Sequence, residues 1–252
     1  MAIDFGTAFI AMTAANAAYE EDDAARFALL IPAGLQEIAY LQGARDARAL
    51  VAQTASGRQV IAVQGTQFTS GEIQSILENL KDDPVDLGGN RLVMRGYYEQ
   101  LQALEPELAK LLPWKENLIV TGHSMGGAVA ILYAGTVPLP NGSCLFAFGS
   151  PKCGNAAFHA TALLRPMRFV VNEDPAPEYP FLESVYSQPA EPWIWVEDKI
   201  AHLVPSSFVR PGIVFDWFDH MPDNYLKVIS SWQNPNLLGP VPSAAAGSPA
   251  KS

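Results

Sequence analysis

The chain is short of cysteine, of positive charge and of long apolar runs, and each shortage removes a class of function. Its 252 residues hold two cysteines, Cys144 and Cys153. Neither belongs to a CxxC pair or a Cys/His cluster, so no metal or other cofactor is expected. Two cysteines do not make a disulfide framework, and their apolar surroundings predict free, buried thiols. Lys and Arg number 16 against 26 Asp and Glu, for a net charge of −10. Such a chain gains nothing by neutralising phosphates, which argues against nucleic acid as a partner. Anionic membrane surfaces should repel it too, whereas contact with neutral lipid needs no positive charge. No stretch reaches about 18 consecutive apolar residues, so no transmembrane span is predicted.

Positive charge is also missing at the start. MAIDFGTAFIAMTAANAAYEEDD opens apolar and contains Ala15-Asn16-Ala17, which imitates a cleavage site, but it has no Lys or Arg and carries Asp4. Phe5, Phe9, Met12, Asn16 and Tyr19 recur at helical steps, predicting a folded amphipathic helix rather than a signal peptide. A cytoplasmic location is the expectation, with secretion by a route lacking an ordinary signal as the alternative. At the other end, GPVPSAAAGSPAKS from Gly239 has no apolar period. It is expected to be a disordered tail over 239–252, leaving 1–238 as one domain.

What the chain does have is an alternation of short β-rich runs and helical patterns. Val60–Val63, Leu118–Val120, Cys144–Phe148 and Arg168–Val171 read as strands, each running into a polar or glycine-rich loop. Tyr97, Leu101, Leu104, Leu108 and Leu111 mark a helix that Pro106 should kink or split. Met125–Ala134 reads as a second helix. Strands alternating with helices predict an α/β fold with a mainly parallel central sheet covered on both faces. In such sheets, ligands sit beyond the carboxyl ends of the strands.

One of those ends carries Gly122-His123-Ser124-Met125-Gly126, a GxSxG pattern. Five letters are weak evidence alone, but a strand precedes them and a helix follows, as a sharp strand-to-helix turn requires. The turn would hold Ser124 in a strained backbone with its hydroxyl presented. Glycines two residues before and after remove side chains that would clash across it. The free N–H of Met125, at the helix N-terminus, would favour an oxyanion forming near Ser124.

A nucleophilic serine needs a base, and the base an orienting acid. His123 lies inside the turn and should point away, packing or hydrogen-bonding beneath it. His159 falls in a helical stretch. His202 and His220 both satisfy the order nucleophile, acid, histidine. For the acid, Asp174 follows the RFVV strand directly, with Glu173 as competitor one residue away. Asp219 is a poor partner for His220, since adjacent side chains rarely make the required Nδ1 bond. The loop after VIAV offers Gly65 and Thr66 as a second source of oxyanion donors.

These residues belong to a wider pattern. VQGT, LVMRGYYEQL, IVTGHSMGGAVA, FAFGSPKCGNAAF, RFVVNEDPAPEYP and DHMPDNYL occur in that order. Together they resemble the class 3, fungal-type lipase family of the α/β-hydrolase superfamily, from about Ala14 to about Ile229. The resemblance implies an α/β-hydrolase fold, with Ser124 as nucleophile, Asp174 as acid and His220 as base, because the Asp/His/Tyr setting matches only there. It implies Thr66 and the Met125 N–H as the oxyanion hole. Gln64 departs from the family's usual arginine, a structural anchor, and the disulfides of secreted fungal members are missing. Residues 67–80 fall where the family places a lid helix, with Ile76 about where a tryptophan often stands. Phe68, Ile73, Ile76, Leu77 and Leu80 could form its apolar face, either as a mobile lid or closed on the core.

The implied activity is hydrolysis of carboxylic esters of acyl lipids, with triacylglycerol as the first expectation and a neutral lipid–water interface as a possible partner. Phospholipase A and aryl (feruloyl-type) esterase activity are the enzymatic alternatives. A catalytically silent lipid-binding homologue is the rival of another class, and a peptidase has little support beyond shared chemistry. Of the aromatics between Pro175 and Asp219 (Tyr179, Phe181, Tyr186, Trp193, Trp195, Phe208, Phe215 and Trp217), some are expected to line an acyl pocket and most to join the core.

Overall fold

The computed structural model describes residues 4–67, 83–180, 185–197, 200–205 and 216–231. The expected lid face, the aromatics Phe181, Phe208 and Phe215, and the 239–252 tail lie outside those residues.

Ten strands are described: β1 (Leu35–Gln42), β2 (Arg48–Thr54), β3 (Gln59–Val63), β4 (Pro84–Asp86), β5 (Leu92–Met94), β6 (Ile119–His123), β7 (Cys144–Phe148), β8 (Pro166–Val171), β9 (Trp193–Glu197) and β10 (Ile200–Val204). Eight form one sheet in the order β1-β2-β3-β6-β7-β8-β9-β10, while β4 and β5 pair separately. The centre, β3 to β9, is parallel, and β1, β2 and β10 join antiparallel at the edges. The central runs QVIAV and CLFAF are continuously apolar because both of their faces are covered. Val60 and Ala62 join one core, Ile61 and Val63 the other.

Helix α1 (Phe5–Ala17) and α2 (Asp23–Leu30) lie on the Val60 side with the last helix, α6 (Pro222–Ser230). Helices α3 (Arg95–Ala109), α4 (Met125–Thr136) and α5 (Ala156–Thr161) cover the other face. Because the parallel strands point one way, their carboxyl ends gather at one edge. The register sets Val63 beside Gly122, and His123 beside Phe148.

Two helices depart from expectation. Helix α1 is buried on more than the predicted face: Met12 and Asn16 of that face are buried and Phe5 and Phe9 half-buried, while Ala8, Ala11, Ala14 and Ala15 are fully covered as well. Small side chains let this helix lie close to the sheet, which leaves the rings at its margin. Helix α3 runs through Pro106 unsplit. Proline removes one N–H near the helix end, and burial of Tyr97, Leu101, Leu104 and Leu108 on both sides of it keeps the helix continuous.

Both cysteines are free, but only Cys153 is buried. Cys144 opens β7 at the rim and is half-exposed, with its sulfur 3.1 Å from an Arg58 nitrogen. Burial raises both thiols, Cys153 up to about 12. No described helix is long and apolar enough to cross a membrane.

Candidate active site

The site grows from the turn between β6 and α4. Ser124 sits at φ 57° and ψ −132°, outside the regions most residues adopt. Strain of this kind costs on the order of 1–3 kcal/mol and persists only where the surroundings impose it. Here they do. A β-carbon on Gly122 would stand 2.3 Å from the Gly126 carbonyl, and one on Gly126 would stand 2.1 Å from the Val63 carbonyl oxygen. The turn closes only with glycine at both places. The Ser124 N–H donates to the Phe148 carbonyl at 2.9 Å, fixing the turn to the neighbouring strand end.

Against this serine stands His220, in the turn that leads into α6. Its Nε2 is 2.7 Å from Ser124 Oγ, and its Nδ1 is 2.8 and 2.9 Å from the two carboxylate oxygens of Asp174. Serine, aspartate and histidine follow one another at separations of 50 and 46 positions in sequence, and all three side chains are buried. With Nδ1 protonated and donating to the carboxylate, Nε2 is left to accept the serine proton.

The carboxylate is itself held. Asp174 Oδ1 accepts from the Ala176 N–H at 2.8 Å, and Oδ2 accepts from the Tyr225 hydroxyl at 2.5 Å. The Tyr225 oxygen in turn accepts from the Val171 N–H at 3.2 Å, tying α6 to the end of β8. Gly149, at φ +56°, forms the floor: a β-carbon there would lie 2.7 Å from Asp174 Oδ2 and 2.9 Å from the Tyr225 hydroxyl. Tyr225 and Gly149 lie inside the DHMPDNYL and FAFGSPKCGNAAF motifs, but linear spacing gives neither of them this task.

The other candidates fall elsewhere. His123 lies beneath the turn, its Nδ1 2.9 Å from the Tyr19 hydroxyl and its ring centroid 4.7 Å from that of His220. Burial and the neighbouring His220 push His123 well below the usual histidine range, so it stays neutral. His159 Nε2 donates to the Ser187 carbonyl at 2.9 Å, and His202 packs against Trp195 in the β9–β10 hairpin. Asp219 does not pair with His220. It accepts from Asn172 Nδ2 at 3.1 Å and from the Glu173 N–H at 3.2 Å, which joins the acid loop to the histidine turn.

Thr66 and Met125 are brought together: the Thr66 hydroxyl donates to Met125 Sδ at 3.4 Å. Gln64, in place of the family's arginine, is buried with its amide nitrogen unpartnered among the described residues, while its backbone N–H donates to the Arg48 carbonyl. A cavity of about 450 Å³ opens beside Thr66, with Tyr19, Glu20, Met221 and Asp223 in its wall. Tyr179, Tyr186, Trp193 and Trp195 are buried in the core rather than in that wall. The excursion after Asp174 is pinned by side chains donating to its carbonyls: Lys152 to Glu178 and Pro180, and Arg168 to Pro189 and Glu191.

Residues 60–184, which contain Ser124 and Asp174 at the ends of parallel strands, match the family model described as "Lipase (class 3)". This chain belongs to the class 3 lipase family. Among curated proteins, it is similar to the "Secreted mono- and diacylglycerol lipase A" of Penicillium cyclopium and that of Penicillium camembertii. Each is 38% identical over 111 residues, which is 41% of this chain. The match spans only 36% of the length of those relatives. The fold is similar to that of the Rhizomucor miehei lipase in its propeptide complex, with TM-score 0.64 and 19% identity over 84% of this chain and 77% of that one. It is also similar to Lip2 lipase from Yarrowia lipolytica, with TM-score 0.58 and 15% identity over 81% and 83%. The α/β-hydrolase architecture is therefore shared across chains with few identical residues.

Proposed function

We propose that this chain hydrolyses carboxylic esters of acyl lipids, with Ser124 as nucleophile, His220 as general base and Asp174 as the acid that orients it. The single observation that carries this reading is the 2.7 Å contact between Ser124 Oγ and His220 Nε2, with Asp174 on the far side of the ring. Ser124 attacks the ester carbonyl as its proton passes to His220, and Asp174 stabilises the imidazolium. The oxyanion is received by the Met125 N–H and by Thr66. His220 then protonates the departing alcohol, and water, activated by the same histidine, releases the acid from the acyl-enzyme. The Thr66 hydroxyl is turned towards a thioether, a weak acceptor that it can leave for a stronger one.

Glycerides are the proposed substrates. Triacylglycerol is the expectation from the family resemblance, and the names of the Penicillium relatives favour mono- and diacylglycerols as a second reading. The cavity beside Thr66 has room for part of such a molecule. Its carboxylates, Glu20 and Asp223, disfavour an anionic group there. Ser124→Ala should lower turnover of p-nitrophenyl butyrate by at least about 10⁴-fold. Folded wild-type protein that neither turns this ester over nor takes a fluorophosphonate label at Ser124 would instead be a silent lipid binder. Rates on tri-, di- and monoacylglycerol emulsions then rank the substrates.

A further inference from the structure

We propose that Tyr19 is the positioning residue that sets the two halves of the oxyanion hole relative to one another. The inference rests on the reading of Thr66 and Met125 as oxyanion donors. Those donors come from different strand ends, β3 and β6, and an oxyanion hole works only when both N–H vectors converge on one point. Something must hold the β3 loop in register with the serine turn.

Tyr19, just beyond α1, touches both. Its hydroxyl lies 2.9 Å from His123 Nδ1 and 3.4 Å from the His123 carbonyl, one residue before the serine. The same hydroxyl is seated against Gly65, where a β-carbon would stand 2.1 Å from it. The hydroxyl carries one proton, and the nearer of its two acceptors on His123 is Nδ1. On its other side, the Tyr19 carbonyl accepts from Gln67 Nε2 at 3.0 Å. The segment Gly65-Thr66-Gln67 is thus gripped on both flanks by one residue, and that residue is bonded to the turn carrying Ser124 and Met125. Gln64 does not supply this anchor through its amide nitrogen, which is unpartnered among the described residues. Burial raises the phenol well above its ordinary value, so Tyr19 remains a neutral donor at every working pH.

The test is Tyr19→Phe, which keeps the ring and removes the hydroxyl. The expected result is a loss of about 10- to 50-fold in kcat with KM changed by less than about threefold, a fraction of what loss of a whole donor costs. Affinity for an alkylboronic acid, which places an oxyanion on the serine adduct, should fall in parallel. In a double-mutant cycle with Thr66→Val, the combined loss should be smaller than the product of the single losses, because both act on one loop. Multiplicative losses, or an unchanged kcat with near-UV circular dichroism intact, would overturn the proposal. Gln67→Ala removes the other flank through an exposed side chain and keeps the test open if Tyr19→Phe does not fold. It should lower kcat by about threefold or more, and an unchanged kcat would overturn the proposal equally. Failure of the underlying enzyme reading is seen separately, as Ser124→Ala retaining wild-type turnover.

Discussion

The Tyr225 hydroxyl donates to Asp174 Oδ2 at 2.5 Å while accepting from the Val171 N–H at 3.2 Å, so one side chain on α6 holds the carboxylate and the strand end that presents it. Removing that hydroxyl takes one of several donors from the buried carboxylate and takes this acceptor from the buried Val171 N–H. Tyr225→Phe should destabilise the fold by about 1–3 kcal/mol, read from urea unfolding, because unsatisfied buried polar groups carry their desolvation cost. Turnover should fall as the carboxylate loses its lateral support. Unfolding curves that match the wild type would refute the assigned role.

Gly149 is expected to tolerate no side chain. Its φ of +56° strains any L-residue, and a β-carbon would press on Asp174, Tyr225 and His220, the last at 3.1 Å. Gly149→Ala should therefore cost activity more than Gly57→Ala, a positive-φ glycine with open space around it. The strain alone is worth about 1–2 kcal/mol at either position, so the difference in kcat between the two variants reports the crowding.

Stability should depend on pH through His159. Burial lowers this imidazole from 6.5 to about 4, although its bond to the Ser187 carbonyl partly opposes the shift. A folded value below the unfolded one means that the fold prefers the neutral ring. The stabilisation is complete above about pH 6.5 and is lost as pH falls towards 4, to an extent of about 3 kcal/mol. His123, also lowered by burial, acts in the same sense. Melting temperatures taken from pH 7 to pH 4 should decline, and His159→Gln should flatten the decline while lowering the plateau.

Asp219 joins the acid loop to the histidine turn through Asn172 and the Glu173 N–H. Asp219→Ala should lower kcat several-fold, with roughly 1–2 kcal/mol of stability lost through the two bonds. Asp219→Asn keeps one accepting oxygen and should retain more of both. Equal values for the two variants would show that the bridge has no part in aligning His220 with Asp174.

The central strands were legible from local pattern. Cys144–Phe148 has the same bounds in sequence and structure, and the β3, β6 and β8 runs differ by a few residues at their ends. Continuous β-rich runs bounded by Gly, Asn and Pro announce themselves without tertiary context. The edge strands were not: LQEIAYLQ and RALVAQT mix polar and apolar residues, and their pairing is chosen by the neighbouring strand rather than by their own period. β9 and β10 were hidden inside an aromatic-rich segment expected to divide between core and acyl pocket, because bulky rings suit a core strand and a pocket wall equally well.

The chain on its own determined that glycines flank Ser124 on both sides, that an acidic residue follows the RFVV strand and that a late histidine precedes a tyrosine. These are facts of order and spacing, and order and spacing are what a linear pattern contains. Only the tertiary structure decided that Tyr225 reaches Asp174 across 51 positions and that Tyr19 reaches His123 across 104. It also put Asp219 on the acid loop instead of on the ring beside it. A hydroxyl can bond to any acceptor within about 3 Å, so its partner is chosen by which strand ends and helices the packed sheet brings together.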